Sequence, residues 1–462
     1  MNLWTNKLRR AMSRMLAAGR GLAAGFPLAA GIPLAAGALL IGAAPVFADD
    51  AALRARVEQL SAELDALRAE LRMQPAGLSS GAVATALRQD AAPASTALPV
   101  DDLAATAPPA DAARVSLFGY GEVNYVRPRK ADGETRMDMR RAVFGIGYAF
   151  DDRTRLITEF ETEHAIVSAD DEGEFEVEQF YVEHRLNDAS SVKAGLFLIP
   201  AGLLNLSHEP TAYYGVTRNF TETAIIPSTW REGGIGVFGS TEQGIAWDVG
   251  VTTGFALGGW DPAGEGQESP LGSIHQELQL ARASDLSVYA AVNYRGLPGF
   301  TAGASVFTGK AGQDDEAAPL ASDARITLWD AHVRWAPGDF DLTALYARGH
   351  ISDTRALNLT FVGNPVLIPE AFWGGYVQAA YNFNLGGSYA VAPFLRFERF
   401  NTGAEYQRLG EGLTPDELAT ETVWTYGFSF RVTDGVVLKA DYQTFDEAED
   451  GDRMNLGLGV SF

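Results

Sequence analysis

From Val115 to Phe462 hydrophobic and polar residues alternate one by one along short runs. In 422–432, Trp424, Tyr426, Phe428, Phe430 and Val432 take every second position, and Thr425, Gly427, Ser429 and Arg431 take the others. In 325–335, Trp329, Ala331, Val333 and Trp335 alternate with Asp330, His332 and Arg334. In 435–444, Val436, Leu438, Ala440 and Tyr442 alternate with Lys439, Asp441 and Gln443. Side chains in a strand point to opposite faces in turn, so each run predicts a strand with one apolar and one polar face. A soluble sandwich also alternates, but it does not need aromatics at the strand ends. A barrel wall that faces lipid outside and water inside accounts for both.

The breaks between runs count the strands. Short polar turns fall at Asp151-Asp152, Asn187-Asp188, Glu242-Gln243, Leu297-Pro298-Gly299, Pro337-Gly338-Asp339, Leu385-Gly386-Gly387 and Thr433-Asp434-Gly435. Longer polar or irregular stretches lie near 127–135, 165–173, 200–230, 258–284, 310–324, 351–371, 401–421 and 446–452. Seven turns interleaved with eight loops predict an all-β, 16-stranded antiparallel transmembrane barrel over 115–462, with both chain ends on the short-turn side. The last run, Met454, Leu456, Leu458, Val460 and Phe462, puts an aromatic at the carboxyl terminus. Phe462 is read as the signal recognised by the bacterial outer-membrane assembly machinery.

The first 113 residues follow other patterns. Residues 1–20 hold five basic and no acidic residues, and an uncharged stretch from Gly21 to Ala48 follows. Basic, apolar, then small is the order of a secretory signal, so 1–48 is read as one. A membrane anchor would fit the length, but Pro27, Pro33 and Pro45 work against a helix there. Leu53, Val57, Leu60, Leu64, Leu67 and Leu71 make an a/d seam, so 49–72 is read as a short periplasmic coiled coil. It is too short to be stable alone and needs an assembly to bring copies together, unless it lies as an amphipathic helix on something else. Residues 73–113, rich in Ala and Pro, read as a flexible linker.

Composition narrows the function. The formal charge is −23 overall, and 31 basic against 59 acidic residues remain beyond residue 48, which argues against nucleic-acid binding. There is no cysteine, so disulfides, thiol catalysis and Cys-ligated zinc are excluded. Mean hydropathy is −0.04, and no apolar run of about 20 residues follows residue 48, which excludes a helical transporter. None of the G-x-S-x-G, H-E-x-x-H or P-loop patterns occurs, so no enzyme, cofactor or metal site is expected. The acidic clusters at Asp170-Glu172, Asp314-Glu316 and Asp446-Asp452 lack EF-hand spacing and read as solvated loops.

Sixteen strands enclose more volume than wall side chains fill, so a water channel is expected. The loop 200–230 is the longest connection on this reading, and it is apolar at Leu203, Leu204, Leu206, Tyr213, Tyr214, Ile225 and Ile226. It is expected either to fold inward and narrow the channel or to pack on a neighbouring subunit. Arg218, Glu222, Arg231 and Glu232 are the candidate constriction charges; the alternative is that the arginines anchor the loop to wall acids. Glu159, Glu161 and Glu163 share one face, and Glu174, Glu176 and Glu178 repeat this on the next strand, forming an acidic wall. Arg155, Arg185, Arg334, Arg396 and Arg431 are the candidate bases. They either oppose the acids across the lumen, giving a transverse field, or pair with acids as braces.

Phe118-Gly-Tyr-Gly-Glu122, Glu176-Val-Glu-Gln179, Ala194-Gly-Leu-Phe-Leu198, Ser207-His-Glu-Pro210 and Pro227-Ser-Thr-Trp-Arg-Glu-Gly-Gly234 resemble the phosphate-selective porin O and P family. The resemblance spans 115–462. It implies a homotrimeric outer-membrane channel that draws anions through a lumen lined by arginines and lysines. This chain departs from that chemistry, since the barrel holds only Lys130, Lys193, Lys310 and Lys439, and acids accompany its arginines. The expectation is therefore a porin for passive diffusion of small hydrophilic solutes or ions, with a mixed-charge lumen. Its surroundings would be the bacterial outer membrane and lipopolysaccharide, with the N-terminal extension in the periplasm. A non-conducting barrel that tethers the envelope through its coiled coil is the alternative.

Overall fold

The computed structural model describes residues 114–130, 133–168, 173–263, 269–316, 318–448 and 451–462. The expected signal, coiled coil, linker and the acidic cluster at 170–172 lie outside the described residues.

The strands are β1 (Val115–Pro128), β2 (Arg136–Ala149), β3 (Thr154–Glu163), β4 (Glu174–Asn187), β5 (Ser190–Leu198), β6 (Arg231–Ser240), β7 (Ile245–Thr252), β8 (Ser287–Leu297), β9 (Phe300–Lys310), β10 (Arg325–Trp335), β11 (Phe340–Ile351), β12 (Ala371–Tyr381), β13 (Phe383–Gly386), β14 (Tyr389–Glu405), β15 (Glu421–Thr433), β16 (Val436–Phe445) and β17 (Arg453–Ser461). Apart from β12 and β13, each pairs antiparallel with its sequence neighbour, and β1 pairs with β17, which closes the sheet. β12 and β13 lie on either side of Asn382 and both pair with β14, so they form one interrupted stave and the barrel has sixteen. Closure leaves no open edge, so every wall amide has a strand to pair with.

Strand β15 shows how the alternation sorts. Phe428 is exposed on the outer face, whereas Thr425 and Ser429 are buried on the inner one. Phe144, Phe180, Ile235, Val249, Val288, Val377 and Leu438 continue the apolar exterior on other strands. A water-soluble protein would not leave such a belt uncovered. Phe462 seals the seam: its N–H donates to Gly119 O at 2.9 Å, and the Gly119 N–H donates to Phe462 O at 3.0 Å. The Phe462 ring sits edge-on to Phe144, 6.3 Å between centroids.

All seven short turns lie at one end and all eight long loops at the other. One expectation needs correction. The longest connection is 253–286, between β7 and β8, and not the loop that leaves β5. The sequence reading stretched β7 and β8 into residues such as Phe255, Leu257 and Leu286, which look like strand but belong to the loop.

The barrel interior is not uniformly wet. Toward the long-loop end, Phe307, Ile326, Leu328, Leu345, Ile351 and Phe372 point inward. They pack on Ile225, Ile226 and Trp230 from the loop after β5, and on Phe255, Leu257, Leu271 and Ile274 from the loop after β7. Trp230 stacks on Phe255 at 5.3 Å and meets Phe307 edge-on at 4.6 Å. The two loops thus bury an apolar core inside the cylinder, and burial at roughly 25 cal/mol per Å² holds them there.

Candidate functional site

The loop 199–230 crosses the lumen. It enters from β5 and leaves into β6, and Asn205 clamps its two ends together. The Asn205 amide donates to Ile199 O at 2.7 Å and Trp230 O at 2.8 Å, and its carbonyl accepts the Trp230 N–H at 2.7 Å. Gly202, at φ +67°, takes a left-handed turn that aims its N–H at Asp330 of β10, 3.0 Å away.

From there the loop is tied to strands on several sides of the barrel. His208 Nε2 lies 2.7 Å from Glu178 Oε1 on β4. Thr211 meets Ser461 of β17 at 3.0 Å. The Tyr213 hydroxyl donates to Glu122 on β1 at 3.0 Å, and the Tyr214 hydroxyl to Asp341 on β11 at 3.2 Å. The Val216 N–H donates to Asp441 of β16 at 2.6 Å, and the Phe220 N–H to Glu398 of β14 at 2.7 Å. Tyr376 of β12 donates to Glu222 at 3.0 Å. With Asp330, these contacts join the loop to eight staves.

The four candidate constriction charges are all buried. Arg218 donates to Ser228 Oγ at 2.6 Å, Thr229 Oγ1 at 2.9 Å and His208 O at 3.2 Å, all within the loop. Those bonds hold Thr229 at φ +50°, a strained setting for a β-branched residue. Glu222 accepts the N–H groups of Leu203 at 2.6 Å and Leu204 at 2.7 Å, and the Asn219 amide at 2.7 Å. Arg231 pairs with Glu176 at 2.5 Å and Glu277 at 3.0 Å. Glu232 accepts the Trp230 indole at 3.2 Å and the Thr253 hydroxyl. These side chains build the loop and its exits; Arg231 is paired with carboxylates, and the other three are held by neutral groups.

The glutamates of β3 and β4 lie on neighbouring strands, with one bulge in their register. Glu161 lies opposite Glu176, Glu163 opposite Glu174, and Glu159 opposite Gln179. Glu178 stands at a bulge between the Glu159 and Glu161 rows and reaches the loop through His208. Arg141 of β2 inserts among these acids, 3.0 Å from Glu122 and 3.3 Å from Glu161. Glu163 and Glu176 keep 29% and 22% of their side-chain surface open, so this wall borders the wetter part of the lumen.

Three of the five candidate bases pair with carboxylates. Arg155 pairs with Glu183 at 2.9 Å, Arg334 with Asp341 at 2.6 Å and Arg396 with Glu398 at 2.7 Å. Arg185 donates to Asp152 O at 2.8 Å near the short-turn rim. Arg431 faces inward beside the short-turn end of β15, and its Nε is buried without a hydrogen-bond partner among the described residues. Arg155, Arg334 and Arg396 are thus paired with wall acids, whereas Arg185 and Arg431 have no acid partner among the described residues.

Sequence reasoning missed several groups. Arg141, Glu122, Asp441 and Glu398 anchor the site, and each sits at an inward period-two position that alternation alone could have flagged. His208 lies in the quoted Ser207-His-Glu-Pro210 stretch, but its partner Glu178 is thirty residues upstream on another element. His332, between Asp330 at 2.6 Å and Asn293 at 2.8 Å, is another inward polar node.

No family model matches the sequence. An uncharacterized protein of Aquifex aeolicus (strain VF5) is 27% identical over 352 residues, 73% of this chain and 78% of that one. Among solved structures, Salmonella typhi OmpF in complex with daunomycin is similar with a TM-score of 0.54 at 15% identity, covering 75% of this chain and 97% of that one. An anion-selective porin from Comamonas acidovorans is similar at 13% identity with a TM-score of 0.46, over 75% and 99% of the two chains. The fold is that of an outer-membrane porin barrel.

Proposed function

We propose that this protein is an outer-membrane porin through which small hydrophilic solutes or ions diffuse passively. The observation that carries this reading is the loop 199–230, drawn across a sixteen-stave barrel and tied to eight staves. A loop fixed to so many staves narrows a channel without blocking it by its own motion. It sets a size limit and leaves a passage beside the half-open acids Glu163 and Glu176.

Selectivity on this reading is that of a mixed-charge lumen. Phosphate selectivity would call for cations free to receive an anion; Lys193, Arg141, Arg231, Arg334 and Arg396 each have a carboxylate within 3.0 Å, whereas Arg218, Arg431 and Lys439 have no carboxylate at that distance among the described residues. Arg218, Glu222, Arg231 and Glu232 then act on selectivity by fixing the shape of the constriction. Three copies joined in the membrane, each with a periplasmic extension over 49–72, complete the proposal, with Phe462 as the mark read during insertion. No catalytic step is assigned.

Reconstitution in a planar bilayer tests it. Stable conductance steps are expected, with a reversal potential in a KCl gradient that millimolar phosphate leaves unmoved. Block by phosphate would restore the anion-scavenger reading. A second reading, a barrel that does not conduct, draws on the apolar core around Trp230, which fills much of the long-loop half. Absence of any step from folded protein would favour it.

A further inference from the structure

The outer wall between β10 and β14 breaks the apolar belt. Arg348 and Arg399 lie on the outward face, since Ala347 and Glu398 beside them are buried inward. Arg348 sits directly between Trp329 and Trp373 in the strand register. In the next row toward the short-turn end, Tyr346, Gly375 and Arg399 lie side by side. The Arg399 guanidinium lies over the Trp373 ring at 6.0 Å and has no acidic partner among the described residues. Arg348 pairs with Glu405 at 2.6 Å, but both side chains are largely open, and such a pair holds weakly. Below them the wall is hollowed. Small residues leave a cavity of about 510 Å³, lined by Ala331, Val333, Ala344, Tyr346, Gly375 and Val377.

Tryptophan and tyrosine on a barrel exterior mark the depth of lipid headgroups. Two arginines at that depth, on the long-loop side, stand where the phosphates of an outer-leaflet lipid lie. Arginine offers a planar pair of donors suited to a phosphate. An apolar trough directly beneath it suits an acyl chain. We propose that Arg399 and Arg348 bind the phosphate of an anionic outer-leaflet lipid whose acyl chain lies in the trough of Ala331, Ala344 and Gly375. This rests on the barrel lying in a membrane and not on its conducting. Charge complementarity and the position of the trough below the arginines select a phospholipid-type ligand over a second copy of the chain, which would have to bring an acid to the same place.

The test uses the full chain purified in detergent. Binding is read by native mass spectrometry with a bis-phosphorylated glucosamine lipid, with phosphatidylcholine and with inorganic phosphate alone. The expected result is retention of the phosphorylated lipid only. Arg399→Gln should weaken it about fivefold, the weight of one arginine at a charged lipid surface. Ala344→Phe, which fills the trough and leaves the charge, should weaken it as well. Heat-resistant gel migration checks folding of both variants. In the wild-type protein, a photoreactive acyl chain should label residues within 331–377, which needs no variant. Equal affinity of both variants, labelling elsewhere, equal binding of inorganic phosphate, or a dimer that the variants break would overturn the proposal. Conductance steps in a bilayer are unaffected by any of these outcomes.

Discussion

His208 Nε2 and Glu178 Oε1 lie 2.7 Å apart, both buried, and join the constriction loop to the acidic wall. Tyr120 donates to the other Glu178 oxygen at 3.2 Å, and its ring meets His208 edge-on at 5.4 Å. Arg218 and Glu209 are the further charges that act on the imidazole.

This contact predicts a pH dependence. Burial opposes the protonated imidazole, but the Glu178 carboxylate outweighs it, and the net shift is upward from the usual 6.5. A pKa raised on folding stabilises the folded loop fully below the unfolded value and loses that contribution as pH rises through the folded value. Open-channel current should therefore be quiet below pH 6.5 and grow noisier as pH climbs above it. His208→Gln should remove the pH dependence between those limits. A noise spectrum in the variant that still follows pH would place the titrating group elsewhere.

Glu222 gathers four donors from three parts of the protein. Glu222→Ala leaves the Leu203 and Leu204 amides and the Tyr376 hydroxyl without their acceptor. A cost of about 2–4 kcal/mol is expected, from the penalty for unsatisfied buried groups. The readouts are a lower temperature for loss of heat-resistant gel migration and a larger, unsteady conductance. Arg218→Ala should act the same way through Ser228 and Thr229. A clean change of ion preference at unchanged conductance would mean that these charges face the permeant directly.

Adjacent residues of β15 should respond oppositely to charge. Phe428 faces outward near mid-strand, and Ser429 faces inward. Phe428→Arg should destabilise the barrel in lipid by about 2–4 kcal/mol. Ser429→Arg should change conductance with a smaller effect on stability. Urea titration in vesicles separates the two.

Phe462 serves the seam by its backbone and ring contacts. Removal of this residue should lower the amount of barrel inserted in the outer membrane, measured by fractionation. Phe462→Trp, which keeps an aromatic ring at this position, should restore it. Equal insertion without the residue would leave it a purely structural clasp.

Much of the wall was legible in the sequence, because a strand writes its environment at every second residue. The runs at 422–432 and 325–335 named their outward side chains correctly, and seven turns and eight loops counted the staves. The inner face was harder. Ile326 and Leu328 are apolar yet point inward, because loops cover them at that height. A period-two pattern distinguishes two faces, but it does not say whether a loop has made one of them dry.

Stave number, direction, outward face and the acidic pairing of β3 with β4 follow from the sequence by itself, since each depends on residues near one another in the chain. The tertiary structure decided that the loop 199–230 turns inward, that Arg218 and Glu222 serve it from within, and that Val216 meets Asp441 across more than two hundred residues. Those contacts arise only when the barrel closes and brings distant inward side chains around one lumen. A buried charge takes whichever partner that closure supplies, and nothing in its own neighbourhood of the chain names it.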